Sequence, residues 1–377
     1  MKYFLIAGEP SGDIHGASLM KEISIEDCES EFMYCGGDQM AEQGGTLIKH
    51  YREMAYMGII PVLLNIRQIQ MNFRECKERI KVFKPDVLIL IDYPGFNLKM
   101  AEFAKKQGIK TVYYISPKIW AWNTGRVKKI KAYIDEMYTI FPFETSFYEK
   151  YRYKVNYVGN PVSDLIRKEL EKEVNFDKFC SDNDLEKKPI IALLSGSRKN
   201  EITSILPILE DLPEQFTEYQ FVIAGAPGNS PEFYKSVMKT NLKVIFNQTY
   251  DLIRNSRAAV VASGTATLET ALLSTPQVVG YKMGMGWFLE IFRNQILKTK
   301  YFSLVNLVAE EEVVKELFQS QLTIENISLE LNRIISDNNE RKLMLENYTK
   351  ISEKLTSRGA AKNAAIQIVG SLKKQLS

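Results

Sequence analysis

Histidine and cysteine are scarce in this chain of 377 residues. Only His15 and His50 occur, which leaves little material for a histidine-rich metal site or a Ser-His-Asp triad. The four cysteines show no Cys-x-x-Cys spacing, so the sequence predicts neither a zinc site nor a framework of disulfide bonds. We therefore expect carboxylates to serve as the bases of any reaction.

Long apolar runs and a large net charge are also missing. No run of about 18 apolar residues is unbroken, so no membrane-spanning helix is expected. The apolar residues near the start are too few and too poorly flanked for a signal peptide, and we expect a cytoplasmic protein. A formal net charge of +3 gives no case for a nucleic-acid partner.

Short apolar runs recur along the chain, with helical or mixed segments between most of them. Such alternation predicts parallel sheets covered by helices, an α/β architecture. The runs fall into two series, and the chain is too long for one ordinary core, so we expect two Rossmann-like domains. The runs are 3–7, 31–35, 86–91, 111–115, 136–140 and 154–158, then 190–195, 220–225, 242–246, 257–263 and 276–281.

A charged stretch that is poor in core-forming residues, 166–189, separates the two series. It predicts a helix followed by a linker. We expect an N-terminal domain over 1–165 and a C-terminal nucleotide-sugar domain over 166–355. The final residues, 356–377, predict a helix that packs back on the N-terminal domain or on a partner chain, and a homodimer stays open.

The first apolar run ends in Gly-Glu-Pro-Ser-Gly-Asp (8–13), and a helical pattern follows. Glycines leave room for unusual dihedral angles and for a ligand, while Ser11 or Asp13 can cap the helix. A helix N-terminus after a strand presents backbone N–H groups that suit an anionic or hydroxyl-rich ligand. An ordinary strand-to-helix turn is the alternative.

Asp92 follows the apolar run 86–91 and precedes a Pro-Gly turn. Ligands of open α/β sheets lie beyond the carboxyl ends of the strands, where Asp92 is expected. Loss of water raises the pKa of a carboxyl group, which then can accept a proton from an attacking hydroxyl. Asp92 is therefore a candidate general base, with helix capping as the alternative.

A similar turn opens the second series. Ser197 and Arg198 follow the run 190–195 and offer a hydroxyl, backbone N–H groups and a guanidinium to a diphosphate. The turn has neither the P-loop signature nor the dinucleotide-binding signature. We therefore predict that this turn binds a nucleotide although it carries neither signature.

Another turn follows the run 257–263. Small residues there can surround phosphates with N–H and hydroxyl groups at a helix N-terminus, and Glu269 can accept both hydroxyls of a ribose. A capped helix without a ligand is the alternative. The small residues are Gly264, Thr265, Ala266 and Thr267.

The segment 57–84 combines an apolar beginning with a basic remainder. A segment of this kind can lie in an anionic membrane surface, where burial adds to electrostatic attraction. A core helix is the alternative.

Six motifs together resemble the lipid A disaccharide synthase family, over residues 4 to about 320. They are AGEPSGDIHG, IDYPGFN, SPKIWAW, GSRKNEI, SGTATLE and LVNLV. The resemblance implies a GT-B fold, in which two Rossmann-like domains face a cleft. It implies a glycosyltransferase of lipopolysaccharide biosynthesis that moves 2,3-diacylglucosamine from its UDP conjugate to the 6-hydroxyl of 2,3-diacylglucosamine 1-phosphate. The donor linkage is α and the product linkage is β, so the reaction is inverting.

The resemblance also implies roles for single residues. Asp92 resembles the family's general base, and Asn306 resembles a functionally important asparagine. Arg198 matches a diphosphate contact, and Gly264 to Thr267 with Glu269 match the nucleotide site. The loop that faces donor and acceptor is matched by Glu9, Ser11, Gly12 and Asp13.

Two positions depart from the family pattern. Asn160 stands where the family commonly has histidine, which puts a role for an imidazole there in doubt. Ser195 stands where proline is common, a conservative change for a turn. We expect no metal or other cofactor, because Arg198 and helix N-termini can meet the diphosphate charge.

Both substrates implied by the resemblance carry acyl chains in the inner membrane, which favours a membrane-docking role for 57–84 and peripheral association with that membrane. Two alternatives stay open. One is another GT-B enzyme that uses UDP-N-acetylglucosamine, an epimerase or a transferase. The other is a non-catalytic protein that binds a nucleotide sugar at the membrane surface.

Overall fold

A computed structural model describes residues 1–54, 65–122, 124–282, 300–355 and 359–376. The chain divides into two units. The first comprises Met1–Pro161 together with Ser357–Ser377, and the second comprises Val162–Thr356.

The described residues form one parallel sheet in each unit. The strands of the first sheet are β1 (Lys2–Ala7), β2 (Glu31–Gly36), β3 (Thr46–His50), β4 (Val87–Ile91), β5 (Lys110–Tyr114), β6 (Glu136–Thr139) and β7 (Asn156–Tyr157). Those of the second are β8 (Ile190–Leu194), β9 (Gln220–Gly225), β10 (Lys243–Phe246), β11 (Ser256–Ala262), β12 (Gln277–Tyr281) and β13 (Glu316–Phe318).

Helices connect most of these strands. The α-helices of the described residues are α1 (Pro10–Glu26), α2 (Asp38–Ala41), α3 (Ile66–Phe83), α4 (Pro94–Lys106), α5 (Ile119–Trp122), α6 (Val127–Tyr133), α7 (Pro142–Glu149), α8 (Pro161–Leu170), α9 (Phe176–Asp182), α10 (Lys199–Leu209), α11 (Pro231–Val237), α12 (Thr249–Arg254), α13 (Thr265–Leu272), α14 (Leu304–Ala309), α15 (Ile324–Ile335), α16 (Asn339–Lys354) and α17 (Ala360–Leu376). Short 3-10 helices cover Tyr51–Glu53, Thr124–Arg126, Leu212–Gln215 and Gln319–Gln321.

The two sheets share one strand order. The first runs β3-β2-β1-β4-β5-β6-β7 and the second runs β10-β9-β8-β11-β12-β13. Six strands of each follow the order 3-2-1-4-5-6 of a doubly wound Rossmann fold. The order reverses between β1 and β4 and again between β8 and β11. Ligands of such sheets lie beyond the carboxyl ends of the strands at this switch point, so each unit has one expected site.

The central strands are apolar on both faces, as a sheet covered by helices on both sides requires. All five residues of β4 are fully buried, and β8 is nearly so. Helix α17 completes the first unit by packing on α1, with Ala364, Ile368 and Leu372 buried. The Lys373 ammonium also donates to the Glu26 carbonyl, 3.1 Å away.

The parallel sheets and their helices confirm the predicted α/β class. Strands β3 and β13 are additions that the apolar runs did not indicate. The units divide at Pro161/Val162, at the start of α8, whereas the boundary predicted at 165/166 falls inside that helix. In the described part of the chain, no helix combines the length and apolar character needed to cross a membrane.

Candidate active site

The carboxyl ends of β1 and β4 lie side by side at the first switch point, where Ala7 pairs with Ile91. Asn97, from the first turn of α4, ties these ends together. Its fully buried amide donates to the carbonyls of Ile6 at 3.4 Å, Ile91 at 3.2 Å and Asp92 at 2.8 Å. The loop that begins at Gly8 and the loop that begins at Asp92 are thereby held next to each other.

Asp92 has an unusual backbone. Asp92 and Tyr93 have φ angles of 43° and 48°, so two consecutive residues other than glycine are left-handed. Such a conformation persists only where neighbours enforce it, and it clusters at functional sites. The Asp92 carbonyl accepts from the Tyr113 hydroxyl and from Asn97, and the Tyr93 hydroxyl donates to the Met54 carbonyl at 2.6 Å. These bonds hold the backbone at Asp92 and Tyr93 in this conformation.

The Tyr93 ring explains the first glycine of the Gly-Glu-Pro-Ser-Gly-Asp loop. A Cβ at Gly8 would lie 2.3 Å from ring carbon Cδ1 of Tyr93. No side chain fits there, so the two loops depend on each other.

The pKa of the Asp92 carboxyl group is set by opposing influences. Burial raises its pKa, while the positive charge of Lys118 and a hydrogen bond from the Tyr93 backbone N–H act in the opposite direction. Lys118 is exposed and follows the neighbouring strand β5. A carboxylate with a raised pKa is a better proton acceptor than one in water. The sequence pattern does not indicate a role for Lys118, because nothing in its spacing links it to Asp92.

Asp13 has a structural position. Its buried carboxylate accepts from the backbone N–H groups of Gly37 at 2.7 Å, Gln39 at 3.0 Å and Met40 at 3.1 Å. Both oxygens are used at the start of α2, an arrangement that lowers the electrostatic cost of burying the charge. This geometry favours a structural role for Asp13 over the predicted contact with substrate.

The other members of this loop differ in exposure. Glu9 is the last residue before α1 and is half-buried, and Ser11 is exposed. Gly12 is buried, and a Cβ there would lie 3.3 Å from the Cβ of Ala7. Of the four predicted site residues in this loop, Glu9 and Ser11 therefore have side chains that a ligand can reach.

The second switch point lies where β8 and β11 end, with Leu194 paired to Val261. Glu201, from the first turn of α10, organises the loop after β8. Its Oε2 accepts from the N–H of Ser197 at 3.1 Å and of Arg198 at 3.3 Å, and its Oε1 lies 3.7 Å from the Arg198 guanidinium. The side chain of Arg198 is 66% exposed, so it can reach a bound anion.

The loop after β11 leads into α13. Gly264 and Thr265 are exposed, Ala266 is half-buried, and Thr267 is fully buried. The Thr267 hydroxyl donates to the Gly264 carbonyl at 2.8 Å, so it shapes the turn. The exposed N-terminus of α13 supplies the backbone donors that suit an anion.

Glu269 has a partner that the sequence analysis missed. Tyr250, on α12, donates its hydroxyl to the Glu269 carboxylate over 3.2 Å. Burial raises the pKa of Glu269, and the hydrogen bond from Tyr250 acts against that rise. A carboxylate held in this way can accept the two hydroxyls of a ribose. Only the spatial approach of α12 to α13 identifies Tyr250.

Asn306 is fully buried, and its amide is saturated by groups just before β13 and at its first residue. Its Oδ1 accepts from the N–H groups of Val313 at 2.8 Å and Val314 at 2.9 Å. Its Nδ2 donates to the Val314 carbonyl at 2.9 Å and to the Glu316 carboxylate at 3.0 Å. This pattern favours a structural role for Asn306 over direct participation in chemistry.

Asn160, the departure from the family pattern, is also fully buried. Its Nδ2 donates to the Ile140 carbonyl at 3.0 Å, just after β6. The amide therefore braces the end of the first unit, and no imidazole is needed for that contact.

The predicted membrane-docking segment 57–84 is described only from residue 65 onward, and 57–64 lie outside the described residues. Helix α3 buries Asn72, Cys76 and Ile80 against the unit. Arg67, Met71 and Arg74 are exposed, and their spacing places them on one face. An exposed basic face with an apolar residue is present.

Comparison with solved structures gives the class of protein. A UDP-GlcNAc 2-epimerase from Methanocaldococcus jannaschii, solved in complex with UDP-GlcNAc and UDP, matches with a TM-score of 0.64 at 13% identity, over 98% of this chain and 100% of that chain. The glycosyltransferase SnogD from Streptomyces nogalater matches with a TM-score of 0.55 at 14% identity, over 98% and 99%. With the two doubly wound units, these likenesses define the GT-B class that was predicted.

Within this class, the chain belongs to the Lipid-A-disaccharide synthetase family, whose sequence model matches residues 3–369. The lipid-A-disaccharide synthase of Trichlorobacter lovleyi is 36% identical over 371 residues, 97% of this chain and 96% of that protein. The chain is thus a glycosyltransferase that forms the lipid A disaccharide, which confirms the predicted activity. The alternatives of another UDP-N-acetylglucosamine enzyme and of a non-catalytic protein are not favoured.

Proposed function

We propose that the chain moves 2,3-diacylglucosamine from UDP-2,3-diacylglucosamine to the 6-hydroxyl of 2,3-diacylglucosamine 1-phosphate. The products are the lipid A disaccharide 1-phosphate and UDP. Family membership supports the proposal. The observation that carries it is the carboxyl group of Asp92, which rigid backbone contacts hold at a switch point and whose pKa burial raises.

In the proposed step, the ionised Asp92 carboxylate accepts the proton of the acceptor's 6-hydroxyl. The hydroxyl oxygen forms a bond to the anomeric carbon while the bond from that carbon to the diphosphate oxygen breaks. The electron pair leaves with UDP. One in-line displacement inverts the α linkage of the donor to the β linkage of the product, so one base is sufficient.

We propose that the second unit holds the nucleotide. Arg198 and Ser197 contact the diphosphate, as the exposure of the guanidinium supports. The N-terminus of α13, at Gly264 to Thr267, adds backbone donors, and Glu269 takes the ribose hydroxyls. These donors meet the negative charge of the leaving group, so the proposal includes no metal.

We propose that Glu9, Ser11 and Gly12 contact the transferred sugar or the acceptor. The exposure of Ser11 and the half-exposure of Glu9 support this assignment. Asp13 and Asn306 then act as positioning residues through the backbone groups that they bind.

We further propose that the enzyme docks on the cytoplasmic surface of the inner membrane through the segment 57–84. Both substrates carry acyl chains, so the reacting sugars lie at a lipid surface. The exposed Arg67 and Arg74 on α3 supply the charge that anionic headgroups attract.

The decisive experiment offers the enzyme two donors in detergent micelles, UDP-2,3-diacylglucosamine and UDP-N-acetylglucosamine, each with 2,3-diacylglucosamine 1-phosphate. We expect UDP and an equal amount of disaccharide, read by mass spectrometry, from the acylated donor alone. Turnover of the unacylated donor at the same rate, or UDP release without disaccharide, would contradict the proposal.

A further inference from the structure

The carboxylate of Glu201 uses the donors that the second unit presents after β8. It accepts from two consecutive backbone N–H groups, those of Ser197 and Arg198, and it lies within ion-pair distance of the Arg198 guanidinium. These groups are also the ones assigned above to the diphosphate. The Glu201 carboxylate therefore occupies the position in which the diphosphate of the donor is expected to bind.

The backbone of the loop is shaped around this carboxylate. Gly196 has a φ of +112°, which disfavours other residues. A Cβ at Gly196 would lie 2.7 Å from Glu201 Cβ and 2.8 Å from Glu201 Oε2. The glycine thus makes room for Glu201. The Asn229 amide, which donates to the Ser197 carbonyl at 3.2 Å, holds the loop from its other side.

The charge of Glu201 also acts on a residue of β12, two strands away from β8 in the sheet. Burial raises the pKa of Tyr281, at the end of β12, and the negative charge of Glu201 raises it further, while Arg198 opposes the change. A diphosphate brought to Arg198 meets the same negative charge. The negative charges of the diphosphate and of the Glu201 carboxylate repel each other. The two groups also cannot both accept from the N–H groups of Ser197 and Arg198.

We propose that Glu201 is an internal competitor of the donor's diphosphate, and that its carboxylate limits how tightly the enzyme holds UDP. The inference rests on the proposed nucleotide site and adds a residue that sets its affinity. Displacement of Glu201 accompanies binding, and its return assists the release of UDP. Glu201 acts on the ligand through Arg198 and the loop, so it is a positioning residue.

The test measures the affinities of UDP, UMP and uridine for the full chain by calorimetry. Glu201→Gln keeps an oxygen for the two N–H groups and removes the charge. We expect it to bind UDP about fivefold to tenfold more tightly than the unaltered chain, UMP with a smaller gain, and uridine equally well. The gain should shrink at high salt, because salt screens charges.

Two further variants complete the design. Glu218→Gln removes the same charge from an exposed residue just before β9, at the amino ends of the strands and so away from the loop after β8, and we expect no change. Glu201→Ala also loses the loop contacts, so its readout is the ratio of UDP affinity to uridine affinity, which should rise as in Glu201→Gln.

The outcomes separate the two proposals. If the unaltered chain binds UDP and Glu201→Gln binds it no more tightly, Glu201 only holds the loop and the inference is wrong. An equal change for UDP and uridine also overturns it. If the unaltered chain does not bind UDP, the proposed nucleotide site itself is wrong.

Discussion

At the scale of single residues, two half-buried carboxyl groups each interact with a side chain that favours their ionised form. Burial raises the pKa of Asp92 and of Glu269, and Lys118 and Tyr250 respectively lower it. Each partner comes from a neighbouring element and was not identified from spacing. Each partner favours the ionised carboxylate and so acts against the effect of burial. We therefore propose that the chemistry depends on pairs of residues.

Lys118→Ala tests the first pair. Asp92 must be ionised to act as a base, so the rate falls as the pH falls through its pKa. The charge of Lys118 lowers that pKa. Without it we expect the acidic limb of the profile of kcat against pH to move to higher pH.

The control is Lys99→Ala, which removes an exposed lysine from α4. Its profile should match that of the unaltered enzyme. An acidic limb that stays in place in Lys118→Ala would show that Lys118 does not act on the base.

Asn306→Ala tests the structural role of that asparagine. The change leaves two buried N–H groups and the Val314 carbonyl without their partner. We expect the free energy of unfolding to fall by about 3 kcal/mol, measured by denaturant titration. Asn241→Ala, at an exposed position, is the control. A variant of unchanged stability that has lost activity would instead place Asn306 in the chemistry.

At the scale of elements, helix N-termini that follow central strands supply most of the candidate site. The loops before α1, α4, α10 and α13 all follow strands that flank a switch point. Helix α3 is different. One face of it packs against the first unit, and Arg67 and Arg74 lie on an exposed face. We propose that the helix N-termini contact the substrates and that α3 contacts the membrane surface.

A double substitution tests α3. Arg67→Glu with Arg74→Glu reverses two exposed charges, and each basic residue near an anionic surface contributes about 1 kcal/mol. We expect at least a tenfold loss of binding to vesicles that contain anionic lipid, measured by co-sedimentation. Activity on short-chain substrates in detergent should be retained. Undiminished vesicle binding would exclude this face from docking.

The elements also show what the sequence can predict. Within the run 86–91, residues 87–91 are all apolar because β4 is buried on both faces, and the position of this strand was predicted correctly. Strands β3 and β13 were not indicated because neither forms a run of apolar residues. β3 includes Thr46, Lys49 and His50 and has no buried residue, and β13 has only three residues, one of them Glu316.

At the scale of the whole molecule, one topology occurs twice with different chemistry. Both units have the strand order 3-2-1-4-5-6, and each presents its candidate residues where that order reverses. In our proposal the first unit supplies the base and the second supplies the donors for the diphosphate. The residues that follow the central strands differ between the two units, which accounts for these different roles.

The candidate site was predictable to the extent that it follows strand ends. Asp92, Arg198 and Glu269 could be found because each comes shortly after an apolar run. The partners Lys118 and Tyr250 could not, because strand order and helix approach bring them near. The saturation of Asp13 and Asn306 by backbone groups is likewise a property of the folded chain.

The measurement that tests the central claim most directly compares the unaltered enzyme with Asp92→Asn, with saturating UDP-2,3-diacylglucosamine and 2,3-diacylglucosamine 1-phosphate. Disaccharide formation and UDP affinity are followed together. We predict a loss of about a hundredfold or more in kcat with unchanged UDP affinity, because a base is removed and the nucleotide donors remain. Disaccharide formation by Asp92→Asn at the rate of the unaltered enzyme would contradict the account.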